Sequence, residues 1–222
     1  MADVHETIKD IKAKFRLFMN GVISQSMREK GLDYKLNFGI EYPRIKEIAS
    51  GYEPSHELAQ ALWKENIREC KIMAGLLQPV DSFYPEIAEI WIEDMRYPEL
   101  AEYTVMNLFQ YLPYASEVVF RWMADERDSF QLCGYLLMAR LLMKEKELNE
   151  RAEAEFLDQA FTALECENVA VQKAAARALC KFAAQSKTNA RKLGKPLQAL
   201  LKSEKMHVHT LVTEIRAEIE YL

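Results

Sequence analysis

Residues 167–185, ENVAVQKAAARALCKFAAQ, are the stretch that decides the fold class. Apolar side chains recur in it at intervals of three and four residues, which is the spacing of one face of an α-helix. Asn168 stands just before this run, where an asparagine side chain caps a helix N-terminus. The alanines at its centre let a helix approach its neighbours closely. The stretch therefore predicts a closely packed helix that begins at Asn168 and ends near Ala184.

The same spacing extends along almost the whole chain of 222 residues. Strict alternation of apolar and polar residues, which is typical of half-buried strands, is nearly absent. The 7 glycines and 7 prolines amount to about half of their usual share. Pro43, Pro85, Pro98 and Pro113 each stand where a proline suits the first turn of a helix. We predict an all-α protein of about eleven helices, the first covering roughly residues 3–28.

The predicted helices form adjacent pairs that repeat about every 30–40 residues, close to the period of HEAT repeats. The repeats differ in sequence, and no linker rich in Pro, Gly or Ser divides the chain. We predict a single domain, residues 1–222, built as an α-α superhelix (solenoid) of stacked HEAT-like helical hairpins. The concave face of such a stack is the default binding surface.

The four cysteines, at positions 70, 133, 166 and 180, lie far apart and form no CxxC motif. This usage is typical of buried, reduced thiols. The N-terminal sequence lacks the apolar core of a signal peptide, and no apolar stretch is long enough to cross a bilayer. These features favour a cytoplasmic protein without membrane contact. No P-loop, GxGxxG, GxSxG or HExxH string occurs, so we expect no metal and no cofactor.

Charge is unevenly distributed along the chain, although the formal net charge is only −5. Residues 173–205 contain nine lysines and arginines against one acid, a net charge of +8. Residues 81–128 have a net charge of −8, and residues 145–167 one of −6. The overall charge therefore hides one strongly basic segment, which is a candidate for phosphate binding.

Three cations of this segment, Lys173, Arg177 and Lys181, are spaced by four residues and line one face of the predicted helix. A row of this kind can neutralise DNA phosphates. The alternative is a solvated face whose cations keep the surface soluble, and the aliphatic stem of Arg177 could also pack among the alanines. The candidate DNA-binding residues are Lys173, Arg177, Lys181, Lys187, Arg191, Lys192 and Lys195.

The strings SMREKGLDYKLNFGIEYPRIKEIA at 26–49 and LAQALWKENIRECKIMAGLLQ at 58–78 share a distinctive order of features. An FGI-x-x-P turn enters a helix, a Leu-Trp pair follows, and an Arg-Glu pair opens an apolar helix. In this order the chain resembles the bacterial DNA alkylation repair family of HEAT-like-repeat glycosylases (AlkD type). Trp122 with the apolar stretch at 131–148, and the segment 171–189, extend the resemblance over most of the chain.

The resemblance implies a stack of helical repeats whose basic concave surface grips DNA. Active members of the family excise cationic alkylated purines such as 3-methyladenine or 7-methylguanine. Their site combines a Trp-x-x-x-Asp arrangement at a helix start, an arginine on the following helical pair and a second tryptophan on a later helix. Aromatic faces attract the cationic lesion, and the carboxylate stabilises the positive charge that develops as the glycosidic bond breaks.

Most of that site is missing when the family pattern is transferred to this sequence. The Trp-x-x-x-Asp arrangement falls on Pro98 and Glu102, so that only a carboxylate remains. The arginine falls on Cys133 or Gly134, and the second tryptophan falls on Arg177. Glu102 is the expected catalytic residue if excision occurs. The alternative is an ordinary acid in the first turn of a helix, where it suits the helix dipole.

Aromatic residues near Glu102 are candidate contacts to a base or sugar. A shift of three or four residues in the alignment brings Tyr97 or Tyr103 close to the lesion site, and Trp91 on the preceding helix is a third candidate. For the tyrosines, packing in the core or at its rim is the alternative.

Three functions are compatible with the sequence. The first is a family member that binds duplex DNA on its basic concave surface without the classical excision chemistry. The second is an active glycosylase in which Glu102 stabilises charge and tyrosines replace the tryptophans. The third is a helical-repeat scaffold for a protein partner, which the acidic segment 81–128 favours. The three are ranked in this order, and we expect a monomer.

Overall fold

The computed structural model describes residues 3–144 and 147–220. In that part of the chain, thirteen α-helices and two short 3₁₀ helices make up the regular structure, and the β-type pairing is an isolated bridge between Leu36 and Ile67. The predicted all-α class is confirmed, with slightly more helices than expected. The α-helices are α1 (Val4–Leu17), α2 (Gly21–Glu29), α3 (Tyr42–Ala49), α4 (His56–Lys64), α5 (Arg68–Leu77), α6 (Pro85–Asp94), α7 (Pro98–Asn107), α8 (Ala115–Met123), α9 (Asp128–Met143), α10 (Glu150–Ala163), α11 (Val169–Gln185), α12 (Lys187–Leu200) and α13 (Met206–Glu220).

Polar caps and prolines start several helices where the sequence predicts them. The Asn149 side chain accepts a hydrogen bond at 2.9 Å from the backbone N–H three residues later, at the start of α10. The Asn168 side chain accepts one at 2.9 Å from the N–H two residues later, at the start of α11. Pro85 and Pro98 are the first residues of α6 and α7. The two asparagine side chains thus satisfy N–H groups that have no partner within the helix, and a proline at the first position has no N–H to satisfy.

The first helix expected over roughly 3–28 is in fact two helices, α1 and α2. Asn20 separates them, because its side chain caps α2 by accepting from the N–H of Ile23 at 3.2 Å. The N–H of Asn20 donates to the carbonyl oxygen of Phe38 at 2.8 Å. The chain between the two helices is therefore held by the segment around Phe38 and does not continue the helix.

Two other prolines differ from the simple expectation. Pro113 lies two residues before α8, which begins at Ala115, so it does not occupy the first turn. Pro196 lies inside α12. An interior proline removes one helical hydrogen bond, so the position of a proline in this chain does not by itself mark a helix start.

The chain forms two compact units. Unit 1 comprises the residues up to 88 together with 107–112, and unit 2 comprises residues 89–106 and those from 113 onward. That the whole chain, 1–222, acts as a single domain stays a prediction. None of the described helices has the length and the apolar character of a membrane-spanning segment.

A buried carboxylate holds unit 1 together at the turn that precedes α3. The Glu69 side chain is fully buried and accepts hydrogen bonds from the backbone N–H groups of Phe38 at 3.1 Å and Ile40 at 3.2 Å. The Arg68 guanidinium, also buried, lies 3.2 Å from the same carboxylate and donates to the carbonyl oxygen of Ile40 at 2.9 Å. The Arg-Glu pair of the sequence therefore binds the FGI turn.

The same turn requires a glycine. Gly39 has a φ of +68°, a left-handed conformation that favours glycine. A Cβ at this position would lie 2.3 Å from the carbonyl oxygen of Asn20 and 2.6 Å from the backbone nitrogen of Ser24. The FGI turn thus lies so close to the backbone at the start of α2 that any residue with a Cβ would clash there.

Unit 2 is organised around α9 and α11, which pack against each other. Most of α9 is buried, and a Cβ at Gly134 would lie 2.6 Å from the backbone nitrogen of Met123. The small residue therefore lets α9 approach the end of α8. Around α11 pack α10, α12 and α13, and the rings of Phe156 and Phe182 lie 5.7 Å apart at the contact between α10 and α11. This enclosure decides which residues of α11 can reach solvent.

The start of α9 provides a test of pH dependence. The Asp125 carboxylate accepts from Arg127 Nε at 2.8 Å and Nη2 at 2.7 Å, and this pairing lowers the pKa of Asp125 to about 2. Since an unfolded aspartate titrates near 3.9, the contribution to stability is present above about pH 4 and is lost as the pH falls towards about 2. We expect the stability difference between the wild type and Asp125→Asn to shrink over this range in urea unfolding. A difference that stays constant from pH 5 to pH 2 would contradict the assignment.

Candidate nucleic-acid interface

The residues of α11 that reach the surface form a narrow strip. Most of this helix is buried, including its alanines and its phenylalanine. Lys173 and Arg177 are exposed and Lys181 is half-buried, which agrees with the expectation that the three line one face. We call the following residues the outward strip: Val169, Lys173, Arg177, Lys181 and Ala184.

An ion pair joins the outward strip to α7. Arg177 Nη1 lies 3.5 Å from Glu102 Oε1, and the two side chains are 54% and 50% exposed. Exposed pairs of this kind contribute about 0–1 kcal/mol, so the pair adds little to the stability of the fold. Glu102 is the fifth residue of α7 and lies beyond its first turn. The first-turn dipole interpretation of this residue is therefore wrong.

A cavity of about 230 Å³ lies beside this pair. Arg140 of α9 and Tyr103 of α7 line it together with Glu102 and Arg177. The remaining wall is apolar and comes from the same two helices: Val105, Met106, Leu136, Ala139 and Met143. Two guanidinium groups and one carboxylate thus meet in one partly apolar cavity, where a guanidinium can bind an anion.

One of the two arginines that line this cavity, Arg140, was missed from the sequence. The family pattern placed it on Cys133 or Gly134, but both of those residues are buried in α9. Arg140 lies on the same helix and lines the cavity instead. Its signal in the sequence is that it is the only charged residue of α9 after Asp128. A single cation in an otherwise apolar helix indicates a candidate functional residue, because a charge is costly to bury unless another group offsets it.

The three candidate aromatic residues lie in different surroundings. Tyr103 lines the cavity with Glu102, as an aromatic contact would require. Tyr97 lines another depression, of about 240 Å³, together with Arg96 and Asn168. Trp91 is 1% exposed and belongs to the core. A ring this deeply buried is not accessible to a base or sugar, so the contact expected of Trp91 is wrong.

Acidic side chains neutralise part of the basic segment. On α12, Lys187, Arg191 and Lys195 are exposed, whereas Lys192 pairs with Glu153 of α10 at 2.5 Å. A groove of about 410 Å³ between α11 and α13 contains the strip's cations and also Glu214 and Glu218. In this groove Lys181 Nζ lies 4.0 Å from a carboxylate oxygen of Glu218. The net charge of +8 in the sequence therefore overstates the positive charge that the surface offers.

The cysteines do not offer a nucleophile near these sites. Cys180 lines the groove between α11 and α13, and burial raises its pKa to about 12. Burial raises the pKa of Cys70 to about 12 as well. Both thiols are protonated near neutral pH, and a protonated thiol is a poor nucleophile. In residues 3–144 and 147–220, no three His, Cys, Asp or Glu side chains are grouped as metal ligands would be.

Comparisons with known proteins agree with the resemblance in the sequence. No curated protein matches the chain. A solved structure is similar, and it is described as "a new family of proteins related to the HEAT-like repeat DNA glycosylases with affinity for branched DNA structures". It matches with a TM-score of 0.80 at 15% identity, over 96% of this chain and 94% of that chain, which shows a shared fold. The model of the DNA alkylation repair enzyme family matches residues 11–193, and the chain therefore belongs to that family.

Proposed function

We propose that the protein binds duplex DNA through the outward strip and Arg140, without the classical excision of alkylated bases. The observation that carries the proposal is that the charged side chains of the strip are all cations on a helix that is otherwise largely buried. Cations spaced along one face can contact successive phosphates. Membership of a DNA alkylation repair family supports DNA as the ligand. Because the structural neighbour is described as having affinity for branched DNA, four-way junctions are a second DNA ligand to test in binding measurements.

Charge also argues against excision of a cationic purine at Glu102. The position that the family pattern gives to a tryptophan holds Arg177, and this cation lies 3.5 Å from the carboxylate. Arg140 adds a second positive charge to the same cavity. A cationic base would be repelled by both guanidinium groups, and the carboxylate that should stabilise its developing charge is already paired.

The strip is tested by the triple variant Lys173→Gln, Arg177→Gln and Lys181→Gln. If each cation contacts one phosphate of duplex DNA, the slope of log affinity against log salt falls by about 2.7. The matched control is Arg28→Gln, Lys35→Gln and Lys64→Gln, which removes the same charge from exposed positions of unit 1. Fluorescence anisotropy at several salt concentrations measures both slopes. Equal slopes for the two variants would show that the strip is not part of the DNA interface.

Excision by Glu102 is the second candidate function, because Glu102, Tyr103 and Arg140 line one cavity. Incubation with methylated duplex DNA distinguishes it from simple binding. We expect no release of 7-methylguanine above the background without protein. Release that disappears in Glu102→Ala would establish the glycosylase instead. If neither DNA affinity at low salt nor release is observed, the protein-binding scaffold is the remaining candidate.

A further inference from the structure

We propose that the cavity lined by Glu102, Arg140 and Arg177 binds a DNA backbone phosphate, which displaces the Glu102 carboxylate from Arg177. This inference rests on the proposed DNA-binding function and names the chemical group that the site takes. In the absence of DNA, the carboxylate occupies the position of the phosphate.

The composition of the cavity suits an anion. Arg140 on α9 and Arg177 on α11 come from two helices that pack against each other, so the core of unit 2 holds the backbone at both positions. With one carboxylate, the three groups have a net charge of +1. Arginine side chains bind phosphate oxygens with paired N–H groups. A volume of about 230 Å³ is several times the roughly 30 Å³ that a water molecule occupies in the liquid, which leaves room for a phosphate group.

The contact that holds the carboxylate is suited to replacement. It joins one nitrogen and one oxygen at 3.5 Å, and about half of each side chain is exposed to solvent. Such pairs are screened by water and salt and hold their partners weakly. A phosphodiester has the same charge as Glu102 but is presented by a polyanion, whose binding also releases counterions. The binding free energy of DNA therefore includes further phosphate contacts and counterion release, which the Glu102 carboxylate cannot provide.

The proposal and the glycosylase alternative predict effects of opposite sign for Glu102→Gln. If Glu102 competes with a phosphate, its neutralisation frees Arg177 and strengthens binding. If Glu102 stabilises a cationic lesion, its neutralisation weakens binding to methylated DNA and abolishes release of the base. The matched control is Glu89→Gln, since Glu89 is the fifth residue of α6 and forms an exposed ion pair with Arg121. Each variant removes one negative charge and one exposed pair from unit 2.

The experiment measures the affinity of the wild type and both variants for unmodified duplex and four-way junction DNA over a series of salt concentrations. Because a phosphate replaces Glu102 at Arg177 in the wild type as well, the variant makes the same number of phosphate contacts and keeps the same salt slope. The gain in affinity is then limited to the weak ion pair that no longer has to be broken, about fivefold at most. We expect this gain for Glu102→Gln relative to Glu89→Gln, and we expect Arg177→Gln in the same chain to remove it. An affinity of Glu102→Gln that equals or falls below that of Glu89→Gln would overturn the inference.

The experiments can refute either proposal without refuting the other. If the triple variant of the strip loses its salt slope while Glu102→Gln behaves like Glu89→Gln, DNA binding by the strip stands and the phosphate site is wrong. If the triple variant keeps the slope of its control, the proposed function fails at the strip itself. Competition by inorganic pyrophosphate against DNA provides a further measurement. It should be stronger for Glu102→Gln than for Glu89→Gln, and equal competition would count against the cavity as an anion site.

Discussion

Glu69→Ala is expected to destabilise the protein by about 3–5 kcal/mol, because it removes the carboxylate that offsets the buried charge of Arg68. The Arg68 guanidinium is 1% exposed and would lose the carboxylate at 3.2 Å. The backbone N–H groups of Phe38 and Ile40 would lose their acceptors in the same step. Glu69→Gln keeps one side-chain acceptor and is expected to cost less. Urea unfolding monitored by circular dichroism measures both changes.

The control for Glu69 is an ion pair of the same unit that lies at the surface. Glu47 pairs with Arg44 at 2.5 Å, and its side chain is 65% exposed. Because an exposed pair is solvated in both the folded and the unfolded state, Glu47→Ala should cost less than about 1 kcal/mol. Similar losses for Glu47→Ala and Glu69→Ala would mean that the buried network does not hold the FGI turn.

Gly39→Ala is expected to cost at least about 3 kcal/mol, through two separate effects. A φ of +68° is unfavourable for any residue with a Cβ. The new Cβ would also lie 2.3 Å from the carbonyl oxygen of Asn20 and 2.6 Å from the nitrogen of Ser24. Both neighbours are backbone atoms, so relief requires α2 to move away from the turn. Urea unfolding again measures the loss.

Gly31 separates the two effects, since it also has a positive φ, of +91°, but has open space around it. Among the described residues, no neighbouring atom lies within 4 Å of the place that a Cβ would take there. Gly31→Ala should therefore show the conformational cost alone, about 1–2 kcal/mol. The difference between the two variants then measures the close approach of the turn to α2. Equal losses at the two glycines would show that the backbone near Asn20 and Ser24 adapts without penalty.

The helices were predictable where local chemistry decides them, and the break after α1 was not. Phe18, Met19 and Val22 continue the apolar spacing of Ile11 and Phe15, yet these residues are 42%, 60% and 81% exposed. Spacing in a sequence does not distinguish an exposed apolar residue from a buried one. The break instead depends on Asn20 and its contact with the distant FGI turn, which is a tertiary interaction.

The candidate site was predictable in part, for a similar reason. Glu102 and Arg177 could be identified because the family pattern aligns with both, and they are indeed joined by an ion pair. Arg140 could not, since its place beside them depends on how far α9 is rotated and shifted relative to α7. The charge segments were also misleading. Acids from the negative segments reach the basic one in space, as the pairs Lys192–Glu153 and Arg177–Glu102 show.

The enclosure of α11 divides its residues between two tasks that do not interfere. The buried alanines and Phe182 set how closely its neighbours approach, whereas Lys173 and Arg177 of the outward strip are exposed. Substitutions in the strip can therefore change the electrostatic potential of the surface while the scaffold stays the same. A series of variants that replaces Lys173, Arg177 and Lys181 one after another by acidic residues would measure how ligand preference depends on the charge of this surface. By the same logic, a related chain could exchange a polyanionic ligand for another partner through a few outward-facing changes.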